Sequence, residues 1–287
     1  MNTRSLFALS VSAFILIFAP GNLFADRLDE MISPVTNPVN FDDPRANTEA
    51  RLIFMHQEID DEFVTGGGNF QLYALELRYA VNDRLALLAT KDGWINFNPD
   101  GVLDDESGFA NIAVGAKYAF YKDDMQGRIL TGGLRYEIPT GNRDVLQGEG
   151  DGFVQPFLTG AVALGDYWNF MTASGLRIAV DDEDSSFWDY DAHIDVKIGK
   201  FYPSLELNMV HVIEAGDRLP IADEGMDLIS IGSSESRGKT LVTGAVGGRY
   251  RINDSVDYGI AYQIPLTNGA GSRFIDWRIT TDFIFSF

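Results

Sequence analysis

His56, His193 and His211 are the only imidazoles in this chain of 287 residues, and it contains no cysteine. Any Ser-His-acid hydrolase built from it must use one of those three. Thiol nucleophiles, thiolate metal sites and disulfides are excluded. His211 shares an alternating face with Leu205, Leu207 and Met209, where a lipid-hydrolysing barrel would place its base. No serine stands at a matching outward position on the neighbouring runs, so His211 reads as an interfacial histidine. His193 lies at period-two spacing between Asp191 and Asp195 and therefore shares their face, which makes it a member of a charge network. The Gly-x-Ser-x-Gly elbow, His-Glu-x-x-His and the phosphate-binding Gly-x-x-x-x-Gly-Lys are all missing. The expectation is a chain with no catalytic residue and no cofactor.

Two carboxylate clusters remain, Asp181-Asp182-Glu183-Asp184 and Asp104-Asp105-Glu106. Their oxygens suit Ca²⁺ or Mg²⁺, but neither has EF-hand spacing. They read as solvated loops, with metal binding left open. Gly66-Gly67-Gly68 reads as a flexible loop tip, because no helix follows to cradle a phosphate.

The N-terminus supplies the compartment. Arg4 precedes an apolar run from Leu6 to Phe18, then Pro20, Gly21 and the small Ala25, which is the layout of a secretory leader over residues 1–25. The run is about thirteen residues, short of the roughly twenty a membrane helix needs. Arg4 is the only charge in that leader, so the remaining 21 basic and 42 acidic side chains give a formal net charge of −21. Such acidity argues against nucleic acid as a partner.

The elements that must position these residues alternate with period two. Tyr73, Leu75, Leu77, Tyr79 and Val81 interleave with Ala74, Glu76, Arg78 and Ala80; Ile112 to Phe120 interleave with small or polar residues that include Lys117. Trp188, Tyr190, Ala192, Ile194, Val196 and Ile198 oppose Asp189, Asp191, His193, Asp195 and Lys197. A soluble sandwich rarely buries that many charges on one strand face. A lipid-facing side and a polar lumen resolve the conflict, which predicts an all-β, transmembrane, antiparallel up-and-down barrel over 48–287 with about twelve strands. The predicted strands are 48–59, 69–81, 84–92, 109–121, 128–138, 153–164, 168–180, 187–199, 201–213, 239–252, 255–264 and 274–287. Connectors alternate short and long, as periplasmic turns and outside loops do; Gly93–Gly108 and Glu214–Gly238 are two of the long ones. Residues 26–47, with Pro34, Pro38 and Pro44, show no strand pattern and form either a lumenal plug or a periplasmic tail.

Counting inward positions gives Arg78, Arg84, Lys117, Arg135, Arg177, Lys197, Lys239, Arg249 and Arg278 against Glu76, Glu137, Asp189, Asp191, Asp195, Glu206, Asp257, Asp276 and Asp282. The lists are equal, so the lumen should be near neutral and paired, with the net charge left to the loops. In the last strand Ile275, Trp277, Ile279, Thr281, Phe283, Phe285 and Phe287 share one face and Phe287 ends the chain. That matches the terminal assembly signal of outer-membrane barrels and implies the barrel-assembly machinery as a partner.

The segment Ser107-Gly108-Phe109-Ala110-Asn111-Ile112-Ala113-Val114-Gly115-Ala116-Lys117-Tyr118, followed by Ile138-Pro139-Thr140-Gly141, resembles the family of outer-membrane proteins called MetA-pathway of phenol degradation. The resemblance is best from Gly108 to Leu164, and the chain has Gly108-Phe109-Ala110-Asn111 where the family usually has Gly-x-Gly-Asp. It implies a channel or transporter for small compounds, hydrophobic or aromatic ones among them, in the outer membrane of a Gram-negative cell, surrounded by lipid and lipopolysaccharide. A barrel enzyme acting on lipid, and an adhesive or structural barrel, are the alternatives. The sequence does not fix the oligomeric state.

Overall fold

A computed structural model describes residues 27–101 and 103–287; the expected leader lies outside the described residues. Fourteen strand segments carry the fold: β1 (Glu49–Ile59), β2 (Gly68–Ala80), β3 (Leu85–Thr90), β4 (Trp94–Pro99), β5 (Glu106–Phe109), β6 (Ile112–Asp123), β7 (Arg128–Ile138), β8 (Phe153–Leu164), β9 (Trp168–Ala179), β10 (Ser186–Val196), β11 (Phe201–Glu214), β12 (Thr240–Asn253), β13 (Val256–Pro265) and β14 (Trp277–Ser286). All pairings are antiparallel, and β1 pairs with both β2 and β14, so the sheet closes. Closure leaves no open edge, which a sheet in hydrocarbon requires.

Fourteen segments make twelve staves. β3 and β4 both pair with β2 and are one residue out of register with each other, Leu77 facing Ala89 and Tyr73 facing Trp94. They are halves of one stave interrupted at Lys91–Gly93. β5 and β6 continue one another in the same register. The chain is therefore a closed, twelve-stranded antiparallel barrel.

The loop expected over Gly93–Gly108 is corrected here, since β4 and β5 occupy most of it and leave Asp100–Asp105 as the connector. The alternation was hidden because it changes sign. In β4, Ile95 and Phe97 point inward and are buried, while Asn96 and Asn98 sit on the other face with Trp94. Above the lipid belt the outside of a barrel is wet and its inside must be packed. The last strand is also shorter than expected. Ile275 does not share the lipid face but is buried against Phe153, Phe187 and Val210 in the outer half of the lumen.

Lipid-facing positions expose Leu52, Tyr73, Leu75, Leu77, Val114 and Phe283, among others, an apolar band too large to leave in water. Inside, an apolar cluster around Met55, Phe70, Leu72, Ile95, Phe97 and Phe274 fills the end reached by the long loops. A second, around Leu28, Met31, Phe41, Ile129 and Met171, fills the end of the short turns. Charged side chains lie between them.

Candidate functional site

Residues 27–47 run inside the barrel as an irregular hairpin. The segment starts at the short-turn end, where the Arg27 N–H donates to the Asp124 carbonyl at 3.0 Å. It rises to Asn37–Val39 and returns through Asp42 and Pro44 to β1. Pro34, Pro38 and Pro44 suit such a path because they offer no N–H that would need a ladder partner. Many of its polar groups are met by the wall. Glu206 accepts from the backbone N–H groups of Val35 at 2.9 Å and Thr36 at 2.7 Å, and from the Thr36 hydroxyl. The Asn37 amide donates to Asp191 at 2.9 Å, and Asn208 donates to the same carboxylate at 2.8 Å. His193 lies between Glu206 at 3.0 Å and Asp195 at 3.1 Å, so it braces the carboxylate that holds the segment.

The opposite wall is basic. Lys117 donates to Asp42 at 2.6 Å, Arg78 approaches the same carboxylate at 3.6 Å and Arg135 at 3.7 Å. Arg135 also donates to the Val39 carbonyl and lies over the Phe157 ring at 4.5 Å. Arg78 pairs with Glu49 at 2.8 Å and with Glu76 at 3.4 Å. Arg249 pairs with Asp282 at 2.7 Å and donates to the Ser33 carbonyl at 3.1 Å. Higher up, Glu137 meets Lys91 at 2.5 Å and Gln155 at 3.1 Å.

The long connector between β11 and β12 descends from the other end. Arg177 pairs with Asp189 at 2.9 Å and donates to the Met226 carbonyl at 2.6 Å, and Arg278 pairs with Asp227 at 2.5 Å. Glu224, fully buried, folds the connector by accepting from the N–H groups of Gly225, Ile231 and Ser233 and from the Ser185 hydroxyl. Between the tips of the two inserts lies a cavity of about 30 Å³, floored by Pro38 and Val39, roofed by Asp227 and Leu228, and walled by apolar Ile53, Phe70, Leu72, Ala74 and Ile95 together with Glu76, Lys91, Asp92 and Gln147.

Outside the same wall is a depression of about 820 Å³, lined by Leu52, Phe54, Tyr73, Leu75, Trp94 and Phe109 among others. Inner cavity and outer depression share Ile53, Ala74, Asp92 and Ala110. The shared residues mark the interruption between β3 and β4, where Lys91 has a φ of 52° and Gly93 one of 143°.

With this geometry the chain is similar to known outer-membrane barrels. The COG4313 outer membrane channel from Pseudomonas putida F1 superposes with a TM-score of 0.62 at 14% identity, covering 90% of this chain and 100% of that one. The NanC porin gives 0.52 at 10% identity over 84% and 98% of the two chains, and the KdgM porin 0.50 at 12% over 83% and 99%. No family model and no curated protein sequence matches the chain. At these identities the likeness establishes the fold.

Of the remaining residues picked out by alternation, Asp257 is half-buried with Arg251 at 3.4 Å. Arg84 and Lys197 sit half-buried at the short-turn rim, while Lys239 and Asp276 lie outside the strands, Asp276 exposed. Arg84, Lys239 and Asp276 do not line the lumen, because the expected strands ran too long at their ends, whereas Lys197 pairs with Glu30 of the lumenal hairpin at 2.9 Å. Phe287 is 88% exposed, and its N–H donates to the Thr48 carbonyl at 3.0 Å, tying the chain end to the start of β1. His211 bonds the Thr240 hydroxyl at 2.7 Å, away from any serine nucleophile. Among the described residues no cluster of three or more His, Asp or Glu could hold a metal ion.

Sequence reasoning missed Arg51, which lies fully buried and donates to Asp282 at 2.7 Å and to the Pro34 carbonyl at 2.9 Å. It also missed Asp42, a carboxylate of the hairpin that faces three wall cations. In β1 the inward row is Glu49, Arg51, Ile53, Met55, Gln57 and Ile59, and the outward row ends in His56 and Glu58. Both rows are mixed, so the alternation there is weak.

Proposed function

We propose that this chain is an outer-membrane channel for small hydrophobic compounds, which enter and leave through the barrel wall at the interruption between β3 and β4. Both ends of the lumen are filled by the chain itself, which disfavours a wide aqueous pore. The observation that carries the reading is the sharing of Ile53, Ala74, Asp92 and Ala110 by the inner cavity and the lipid-side depression. Only one residue layer separates hydrocarbon from the inner cavity there. The wall is also weakest there, because the ladder lapses and a side chain replaces a strand carbonyl. The porin-like fold supports the class of function, and the apolar lining supports the class of solute.

Placement in the outer membrane, among lipid and lipopolysaccharide and delivered by the assembly machinery through the Phe287 end, belongs to the same proposal. The direct test uses Ala74→Trp, which places an indole where the two spaces meet. Proteoliposomes carrying the wild-type chain should take up benzyl alcohol faster than empty vesicles, and the variant should lose most of that gain. Equal uptake by variant and wild type would overturn the side entry.

A further inference from the structure

We infer that Lys117, Arg78 and Arg135 form a binding site for the carboxylate of a small apolar acid, and that Asp42 occupies it as a tethered stand-in. The inference rests on the function proposed above and narrows its solute to a monocarboxylate with an apolar body. Three cations converge on Asp42, at 2.6, 3.6 and 3.7 Å, and all four side chains are at most 2% exposed. Only Lys117 makes a hydrogen bond with that carboxylate. Asp42 Oδ2, Arg78 Nε and Arg135 Nε are enclosed and have no hydrogen-bond partner among the described residues. The cradle therefore has more donors than its tethered occupant uses. A mobile carboxylate, free of the backbone on either side of Asp42, could take up the planar donor edges that arginine presents to such a group.

Charge points the same way. Around the cradle the wall buries five cations, Arg51, Arg78, Lys117, Arg135 and Arg249, against three carboxylates, Glu49, Glu76 and Asp282. That part of the wall is short of negative charge without the hairpin, and buried cations without counter-charge are costly. The hairpin supplies Asp42, while its Asp43 is paired with its own Arg45. Position supplies the apolar half of the argument. Arg135 holds both Asp42 and the Val39 carbonyl, and Val39 floors the cavity walled by Ile53, Phe70 and Leu72. Glu76, paired with Arg78 at 3.4 Å, also lines that cavity and links it to the cradle, so the ring or tail of a bound acid can stay against Ile53, Phe70 and Leu72.

The test is binding of 4-fluorobenzoate to the purified full chain in detergent, followed by fluorine NMR, with 4-fluorobenzyl alcohol as comparator and acetate as a competitor read by its displacement of 4-fluorobenzoate. Asp42→Asn should bind 4-fluorobenzoate at least tenfold more tightly than the wild type does, and at least tenfold more tightly than it binds acetate. Adding Lys117→Met to Asp42→Asn should abolish the gain; if that pair does not assemble, judged by heat-modifiable gel migration, Arg135→Gln replaces Lys117→Met. Binding of the alcohol should be the same in all variants. Equal affinity of wild type and Asp42→Asn for 4-fluorobenzoate overturns the site, and equal affinity for benzoate and acetate overturns its apolar half. Vesicle uptake of benzyl alcohol is scored separately, so a failed side entry and a failed carboxylate site give different results.

Discussion

The Asp92 carboxylate accepts a hydrogen bond from the backbone N–H of Leu75 at 3.0 Å, in the gap where β2 has left β4 and not yet met β3. An N–H on a barrel wall in hydrocarbon has no water to turn to, so it must find an acceptor in the protein. Asp92→Ala removes that acceptor. The expected cost is about 1–3 kcal/mol of barrel stability, read as a lower urea midpoint for unfolding from vesicles. Asp92→Asn keeps a carbonyl in place and should lose less than half as much. Equal midpoints for wild type and alanine variant would show that the Leu75 N–H is satisfied some other way.

Glu206 grips two consecutive backbone N–H groups and a hydroxyl of the lumenal hairpin. Hydrogen bonds to a charged group contribute about 1.5–3 kcal/mol each, so Glu206→Ala should loosen the segment well before it harms the wall. In planar bilayers the variant should show openings at least tenfold more frequent than wild type, approaching the conductance of a chain lacking residues 27–44. Unchanged traces would mean that the hairpin is held mainly from the Asp42 side.

How far the sequence foretold this arrangement depends on which environment each residue meets. The runs through Glu76 and Arg78, Lys117, and Asp189 to Asp195 alternate cleanly because lipid lies on one side and ion pairs on the other. At Trp94–Pro99 the two environments exchange, and an inward Phe97 behind an outward Asn98 no longer resembles a membrane strand. The inserts are harder still. Thr36 and Glu206, or Asp42 and Lys117, are far apart in the chain, and an irregular proline-rich segment has no period that could reveal which wall it touches. Its composition excludes a strand without saying where it goes.

The bond from the Phe287 N–H to the Thr48 carbonyl completes the junction of β14 with β1, while its side chain is exposed. Deleting Phe287 should cut the assembled, heat-modifiable fraction at least threefold when expressed in a Gram-negative host. Deletion of Asp104, in an exposed outer loop, should leave that fraction unchanged. Equal fractions would assign the closing step to the ladder alone.

Burial pushes the Asp184 carboxyl up to about 6; the Arg218 guanidinium at 3.0 Å opposes the rise and nearby Asp181 adds to it. The ordinary value is 3.8, so the folded loop holds this proton more tightly than the unfolded loop does. Its stability is then greatest below about 4 and falls as pH rises through 6. Amide exchange over residues 181–186, corrected for intrinsic rates, should be slower at pH 4 than at pH 7. Asp184→Asn should remove the difference by staying neutral throughout. A wild-type loop better protected at pH 7 would reverse the sign and reject the assignment.

Selectivity at the mouth should differ from selectivity inside. The outer loops carry Asp60, Asp61 and Glu62, Asp104 and Asp105, and Asp181, Asp182 and Glu183, all but Asp60 and Asp181 exposed. The buried wall charges, by contrast, are largely paired with one another and with the hairpin. A negative vestibule concentrates cations over about one Debye length, roughly 8 Å at physiological salt and 3 Å at 1 M. The wild-type chain should therefore show a modest cation preference in dilute salt that disappears at molar salt. Asp42→Asn leaves the vestibule untouched but uncovers the Lys117, Arg78 and Arg135 cradle, so at 1 M, where the mouth is screened, its reversal potential should move towards anions. Buried charges are screened far less than exposed ones, which is why the two contributions separate with salt. Cation preference persisting at 1 M in the wild type would place the selecting charges inside the lumen and not at its mouth. An unchanged reversal potential in Asp42→Asn would show that the cradle does not face the ion path.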